Sequence, residues 1–284
     1  MKKFVILIHC KDQQGIIAVA TSFVLENQGN ITYVDQHVDH QQGVFFMRLE
    51  CVLETTTISI DEFSALFKQS VTNLFQMNWK IFDAEYTSRM ALFVSKYDHC
   101  LYDILGRFKS GELNVEIPFI LSNHNDLKPI ADRFDIPFFH VPISPETRQE
   151  AELQHLKLLQ NHNIDFVVLA RYMQIIPEGL IQAFPNKIIN IHHSFLPAFV
   201  GAKPYHSAFK RGVKIIGATS HYVTEELDAG PIIEQDVCRV SHTHTIKDLI
   251  SKGRDLEKIV LSTAIKHHID HKVMVYNNKT VVFS

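Results

Sequence analysis

From residue 88 on, short apolar runs alternate with amphipathic stretches, and this alternation restricts the architecture more than any other feature of the chain. Residues 90–94, 117–121 and 166–170 are continuous apolar runs, and 138–141 is a fourth, interrupted by His140. Runs with no polar alternation suit strands covered on both faces. Between them, residues 97–109 and the repeat Leu153, Leu156, Leu159 read as helices. Strand–helix alternation predicts an α/β domain with a doubly wound, mostly parallel sheet. A further run, 187–191, carries Asn190 and leads directly into His192. Two residues apart on one strand, these two side chains share a face. They also stand at the carboxyl end of the strand, where open α/β sheets bind ligands. The run at 214–223 leads into a loop whose central carboxylate is Asp228, followed by Gly230-Pro231. An amide donor, an imidazole and a carboxylate together suit attack on a carbonyl.

The first 84 residues follow a different pattern. Residues 3–8 read as a strand, with Asp12 as N-cap of a helix buried through Ile16, Val19, Ala20, Phe23 and Val24. Gly29-Asn30 turns the chain into a strand at 31–38, and Gln41-Gln42-Gly43 makes a hairpin into a strand at 44–53. A second helix spans 61–78, with Phe63, Leu66, Phe67, Val71, Leu74 and Phe75 inward, and residues 79–84 form a last strand. This βαββαβ order predicts a ferredoxin-like domain at 1–86, followed by the α/β domain at 87–284. The C-terminal part adds a helix at 245–268 and a hairpin around Asn277-Asn278.

Composition removes several function classes. A net charge of -3 without a basic stripe argues against a nucleic-acid partner. The apolar start breaks at His9 and Lys11-Asp12, too soon for a signal core or a membrane span. Cys10, Cys51, Cys100 and Cys238 are scattered without a paired motif, which fits a reducing cytoplasm. The histidines at 242, 244, 267, 268 and 271 lack the companions of a metal site, so no metal is expected. There is no nucleophile elbow, no phosphate-binding Gly-x-x-x-x-Gly-Lys and no dinucleotide motif.

Asn190-Ile191-His192, the Leu196-Pro197 turn ending at Gly201, and Leu227-Asp228-Ala229-Gly230-Pro231-Ile232-Ile233 resemble the formyltransferases that use 10-formyltetrahydrofolate. The His192-His193 doublet, the run from Gly201 to His206 and the N-terminal extension make the chain most similar to the formyltetrahydrofolate deformylase branch. The resemblance runs almost end to end. It implies hydrolysis of the folate substrate to formate and tetrahydrofolate, with no further cofactor. Asn190, His192 and Asp228 would then be catalytic. His193, which stands where many formyltransferases carry proline, either touches the attacking water or shapes the strand exit. His221 would serve the site as a neighbour, and Met173, Gln174, Ile176, Val223 and Thr224 would line the pterin slot.

Asp12-Gln13-Gln14-Gly15 and Gly29-Asn30 resemble an ACT domain. That implies a small amino-acid effector near Asp12, Gly15 and Asn30, and a homo-oligomer; otherwise the glycines merely serve turns. The alternative function is formyl transfer to an amine such as glycinamide ribonucleotide. Against it, Ser95-Lys96-Tyr97-Asp98 lacks the glycines that let backbone approach a phosphate, although Lys96 could pair with one.

Overall fold

The structure, a computed structural model, describes residues 1–53, 58–198 and 204–284. Gly201, Ala202 and Lys203 of the run noted above lie outside the described residues. Two compact units emerge: Met1–Tyr86 with Asp270–Met274 and Val281–Ser284, and Thr87–Ile269 with Val275–Thr280. Dividing the sequence once, at 86/87, puts the whole remainder in the second unit, whereas two tail segments belong with the first.

The first unit is built from β1 (Lys2–Lys11), α1 (Ile16–Glu26), β2 (Gly29–Asp39), β3 (Val44–Leu53), α2 (Ile60–Phe67) and β4 (Asn78–Asp83). Its antiparallel strands stand in the order β2-β3-β1-β4. Phe4, Ile6 and Ile8 of β1 share one face and pack with Phe23 of α1 and Phe63 and Phe67 of α2. Burying a phenylalanine stabilises by about 2–3 kcal/mol, so these four rings contribute much of the core.

Asp12 does not cap α1; Gly15 takes that position at φ 93, a backbone region open to glycine, and no side chain caps the helix. The helix expected at 61–78 is interrupted. α2 runs into a π-helical turn at Lys68–Thr72 and a single turn at Asn73–Phe75. The wider turn shifts the phase of the stripe. Leu74, beyond that turn, is therefore 64% exposed; Leu66, before it, is 39% exposed, while Phe63, Phe67 and Val71 are buried.

In the second unit the leading elements are β5 (Ser88–Val94), α3 (His99–Ser110), β6 (Val115–Glu116) and β7 (Ile120–Ser122). Next come α4 (Lys128–Arg133), β8 (Phe138–His140), α5 (Arg148–Asn161), β9 (Phe166–Ala170), α6 (Glu178–Ala183) and β10 (Ile188–His192). α7 (Pro204–Arg211), β11 (Ile215–Tyr222), β12 (Ile232–Arg239), α8 (Ile246–Ile269), β13 (Val273–Tyr276) and β14 (Lys279–Val282) complete the chain. The sheet order is β12-β11-β10-β9-β5-β7-β8, with β6 pairing β5. Strands from β10 to β8 are parallel, whereas β11 and β12 are antiparallel. Every residue of β9 is buried, as an unbroken apolar run requires. β13 and β14 form the hairpin expected at Asn277-Asn278, both at positive φ as the tight turn demands. Among the described residues no helix is long and apolar enough to cross a membrane.

Candidate active site

Asn190 and His192 project from one face of β10, and β11 lies antiparallel beside it with His221 directly opposite Asn190. The loop after β11 turns back at Gly230, where a Cβ would run into the carbonyl oxygen of Tyr222. Only glycine fits there, and the close return holds the β11–β12 loop against the sheet. Within that loop Asp228 sits in left-handed backbone at φ 56, a conformation a short polar side chain tolerates. Asn278 at the tip of the β13–β14 turn donates to the carbonyl of Ala229 at 2.9 Å, bracing the residue next to Asp228. Proximity in the chain carries no hint of that brace.

These elements bring Asn190, His192, His221 and Asp228 together. Asp228 Oδ2 lies 3.2 Å from His192 Nδ1 and Asp228 Oδ1 lies 3.7 Å from His221 Nε2. The His192 imidazole, and secondarily His221, hold the Asp228 carboxyl well below the usual carboxylate range. Its side chain is 14% exposed, so it is ionised yet within reach of water. With Nδ1 of His192 turned to the carboxylate, Nε2 faces the other way, buried and without a partner among the described residues. A buried imidazole nitrogen rarely stays unpaired in a structural role; here it is free for a reacting atom.

His221 has two fixed neighbours. Its Nδ1 lies 2.9 Å from the carbonyl oxygen of Tyr222, which can only accept, so that nitrogen carries a proton. Its Nε2, which also faces Asp228, lies 3.2 Å from the Asn190 amide nitrogen. That contact orients the Asn190 amide and leaves its second N–H for a ligand. His193 follows on the buried strand exit, with its ring 5.4 Å from the His192 ring.

Met173, Gln174 and Ile176 line a cavity of about 440 Å³ together with Arg148, Glu152 and His155 of α5. The Met173 N–H donates to Ser95 Oγ at 3.0 Å, tying this loop to the end of β5. Val223 and Thr224 are not part of that lining: the Val223 N–H pairs with the Ile188 carbonyl, and the Thr224 hydroxyl donates to the Glu226 carbonyl. In the first unit, the Asp12 N–H donates to Gly43, Gly15 starts α1, and Asn30 pairs with Val52 across β2 and β3.

A buried polar cluster at the ends of β5 and β9 escapes a motif-based reading. His99, Arg171, Tyr205 and Glu257 surround one another, and their one signal in the sequence is a carboxylate at 257 on the inward stripe Gly253, Val260, Ala264 of α8. His99, Cys100 and Glu257 present three ligand atoms within 4.8 Å of one another. The Arg171 guanidinium already stands 3.5 Å from that carboxylate, and burial pushes the Cys100 thiol well up. Glu257 is thus already paired with a fixed cation. The histidines flagged in the sequence have other company: His244 accepts from the Ser241 N–H, and His268 pairs with the Tyr222 hydroxyl.

Residues 88–265 match the formyl transferase family. The chain is 53% identical to the formyltetrahydrofolate deformylase of Synechocystis sp., over 98% of each chain. The crystal structure of a formyltetrahydrofolate deformylase from Pseudomonas syringae pv. tomato superimposes with a TM-score of 0.96 at 47% identity, covering 100% of this chain and 95% of that one. Glycinamide ribonucleotide transformylase 1 from Symbiobacterium toebii is more distant, with a TM-score of 0.65 at 28% identity over 70% of this chain and 95% of its own.

Proposed function

The chain belongs to the formyltetrahydrofolate deformylases, and on that premise we propose that Asn190, His192 and Asp228 carry the hydrolysis of 10-formyltetrahydrofolate to formate and tetrahydrofolate. What supports these roles most is the 3.2 Å contact of ionised Asp228 with His192, whose far nitrogen is unpartnered. Asp228 holds a water and draws its proton as the oxygen attacks the formyl carbon. Charge then develops on the formyl oxygen, where the Asn190 N–H and a protonated His192 Nε2 donate to it. His192 passes its proton to N10 as the C–N bond breaks, and formate and tetrahydrofolate leave.

The pterin lies against Met173, Gln174, Ile176, Val223 and Thr224, with the cavity beside α5 continuing the folate site. The first unit is an ACT-like regulatory domain. Uncapped backbone donors at the start of α1, next to Asp12 and Gly15 and with Asn30 on the neighbouring strand, suit the carboxylate of a small amino acid. The edge strands β2 and β4 suit pairing in a homo-oligomer. Acting in the cytoplasm, the enzyme supplies formate to one-carbon and purine metabolism.

The test is to follow both products from 10-formyltetrahydrofolate with and without excess glycinamide ribonucleotide. Formate is expected at an undiminished rate; accumulation of formylated ribonucleotide instead would make the enzyme a transferase.

A further inference from the structure

The His193 ring is backed by Tyr205 of α7, at 5.8 Å between centroids. The Tyr205 hydroxyl donates to Glu257 Oε1 at 2.6 Å. Glu257 is 1% exposed, and its second oxygen meets His99 Nε2 at 2.8 Å and Arg171 Nε at 3.5 Å. Burial pushes this carboxyl up; His99, Arg171 and Tyr205 outweigh that push, so it lies below its usual value and stays ionised. Arg171 is fixed in turn, in left-handed backbone at φ 63 directly after β9, with its guanidinium 4.7 Å over the Tyr97 ring. The start of α3 and the end of β9 therefore converge on one carboxylate of the inward face of α8, and that carboxylate holds the Tyr205 hydroxyl. Through the Tyr205 ring they bear on His193.

A buried ion network of this kind contributes little to net stability, because desolvation offsets the attraction between its charges. It does specify geometry.

We propose that Tyr205, Glu257, Arg171 and His99 are positioning residues that hold the His193 ring against His192, and that this wall selects the acceptor, admitting water to the formyl carbon and closing the approach of an amine. The inference rests on the hydrolase reading above. With either acceptor the formyl carbon gains a bond to the nucleophile's oxygen or nitrogen and loses its bond to N10, while N10 takes up a proton. Only the shape and polarity beside His192 decide between them.

Hydroxylamine, a small nitrogen nucleophile, makes the selection measurable: capture gives formohydroxamate, hydrolysis gives formate. The full-length wild-type protein should yield formate almost exclusively. Tyr205→Phe removes one hydroxyl and keeps the ring; it should raise the hydroxamate-to-formate ratio about tenfold, with total turnover falling by less. His193→Pro should raise the ratio furthest. Glu257→Gln should resemble Tyr205→Phe provided it folds, and thermal melting reports that separately. A merely structural network would move the melting temperature and leave the ratio alone. An unchanged ratio in folded Tyr205→Phe and His193→Pro, beside normal formate release by the wild type, overturns this inference and spares the hydrolase reading. Failure of the wild type to release formate overturns both.

Discussion

Two buried arginines separate the two units of this molecule. Arg48 in the N-terminal unit and Arg171 in the catalytic unit are 2% and 8% exposed, each beside a glutamate and each over a tyrosine ring. Arg48 donates from Nε to the His271 carbonyl and from Nη2 to the Asp270 carbonyl, and pairs with Glu50 at 2.7 Å. Arg171 has Nε and Nη1 buried with no hydrogen bond among the described residues. The same division holds more widely. Among the described residues, the buried side-chain atoms left without a partner belong to His99, His155, Arg171, Tyr172 and His192, all in the catalytic unit. Where buried polarity is fully satisfied it fastens chain segments; where it is left short it is available to ligands and reacting atoms.

The largest effect should come from Asp228→Asn, which keeps shape and removes charge. Turnover should fall by about three orders of magnitude, within the range for deleting a general base. Substrate affinity and melting should hardly change. Retained turnover would remove Asp228 from the mechanism and blur the contrast between units. Asn190→Ala comes next, with a loss of about two to three orders of magnitude, as for one donor to a developing oxyanion. Single-turnover rates would show whether that loss lies in the chemical step.

Arg48→Met should do the opposite. It leaves two part-buried carbonyls without their donor and Glu50 with Lys3 alone, so denaturant unfolding should lose about 3 kcal/mol. Turnover per folded molecule should persist; a variant that melted normally but lost turnover would break the comparison.

Acid supplies a gentler test. Burial, reinforced by Arg48, lowers the pKa of His271 to about 4, and burial alone lowers His155 to about 4. Between pH of about 4 and about 6.5 both histidines are neutral when folded and take up a proton on unfolding. Their contribution is complete above the unfolded value of about 6.5 and is lost as pH falls toward 4, by up to about 1.4 kcal/mol per pH unit for each. His271→Phe, which preserves the 3.8 Å stack on Phe82, should flatten that slope, and a pH series of denaturation midpoints would show it. At the bottom of the scale, Lys128→Ala should cost under about 0.5 kcal/mol by the same assay, since the exposed Lys128–Asp132 pair is mostly screened.

Much of this architecture is legible in the residues, and the exceptions have physical causes. The runs at 90–94 and 166–170 mark β5 and β9 because a strand buried on both faces has no polar positions to obscure it. Asn190, His192 and Asp228 stand out in the sequence because their chemistry is sparse and their motif long, and the fold brings them together. Phase was harder: the π-helical turn at Lys68–Thr72 breaks a 3.6-residue repeat without a proline or glycine to announce it. Glu257 was harder still, since a charged residue on a long helix ordinarily faces water. Its partners lie 158, 86 and 52 residues away in His99, Arg171 and Tyr205, and only the fold gathers them.

The fastening of residues 270–274 and 281–284 to the first unit has a consequence during synthesis. A ribosome adding about 5–20 residues per second finishes Tyr86 roughly ten to forty seconds before it reaches these segments. Throughout that interval Arg48 lacks both of its carbonyl acceptors, and Phe82 lacks the His271 ring that stacks on it. The N-terminal unit is thus translated ahead of the catalytic unit and completed only behind most of it.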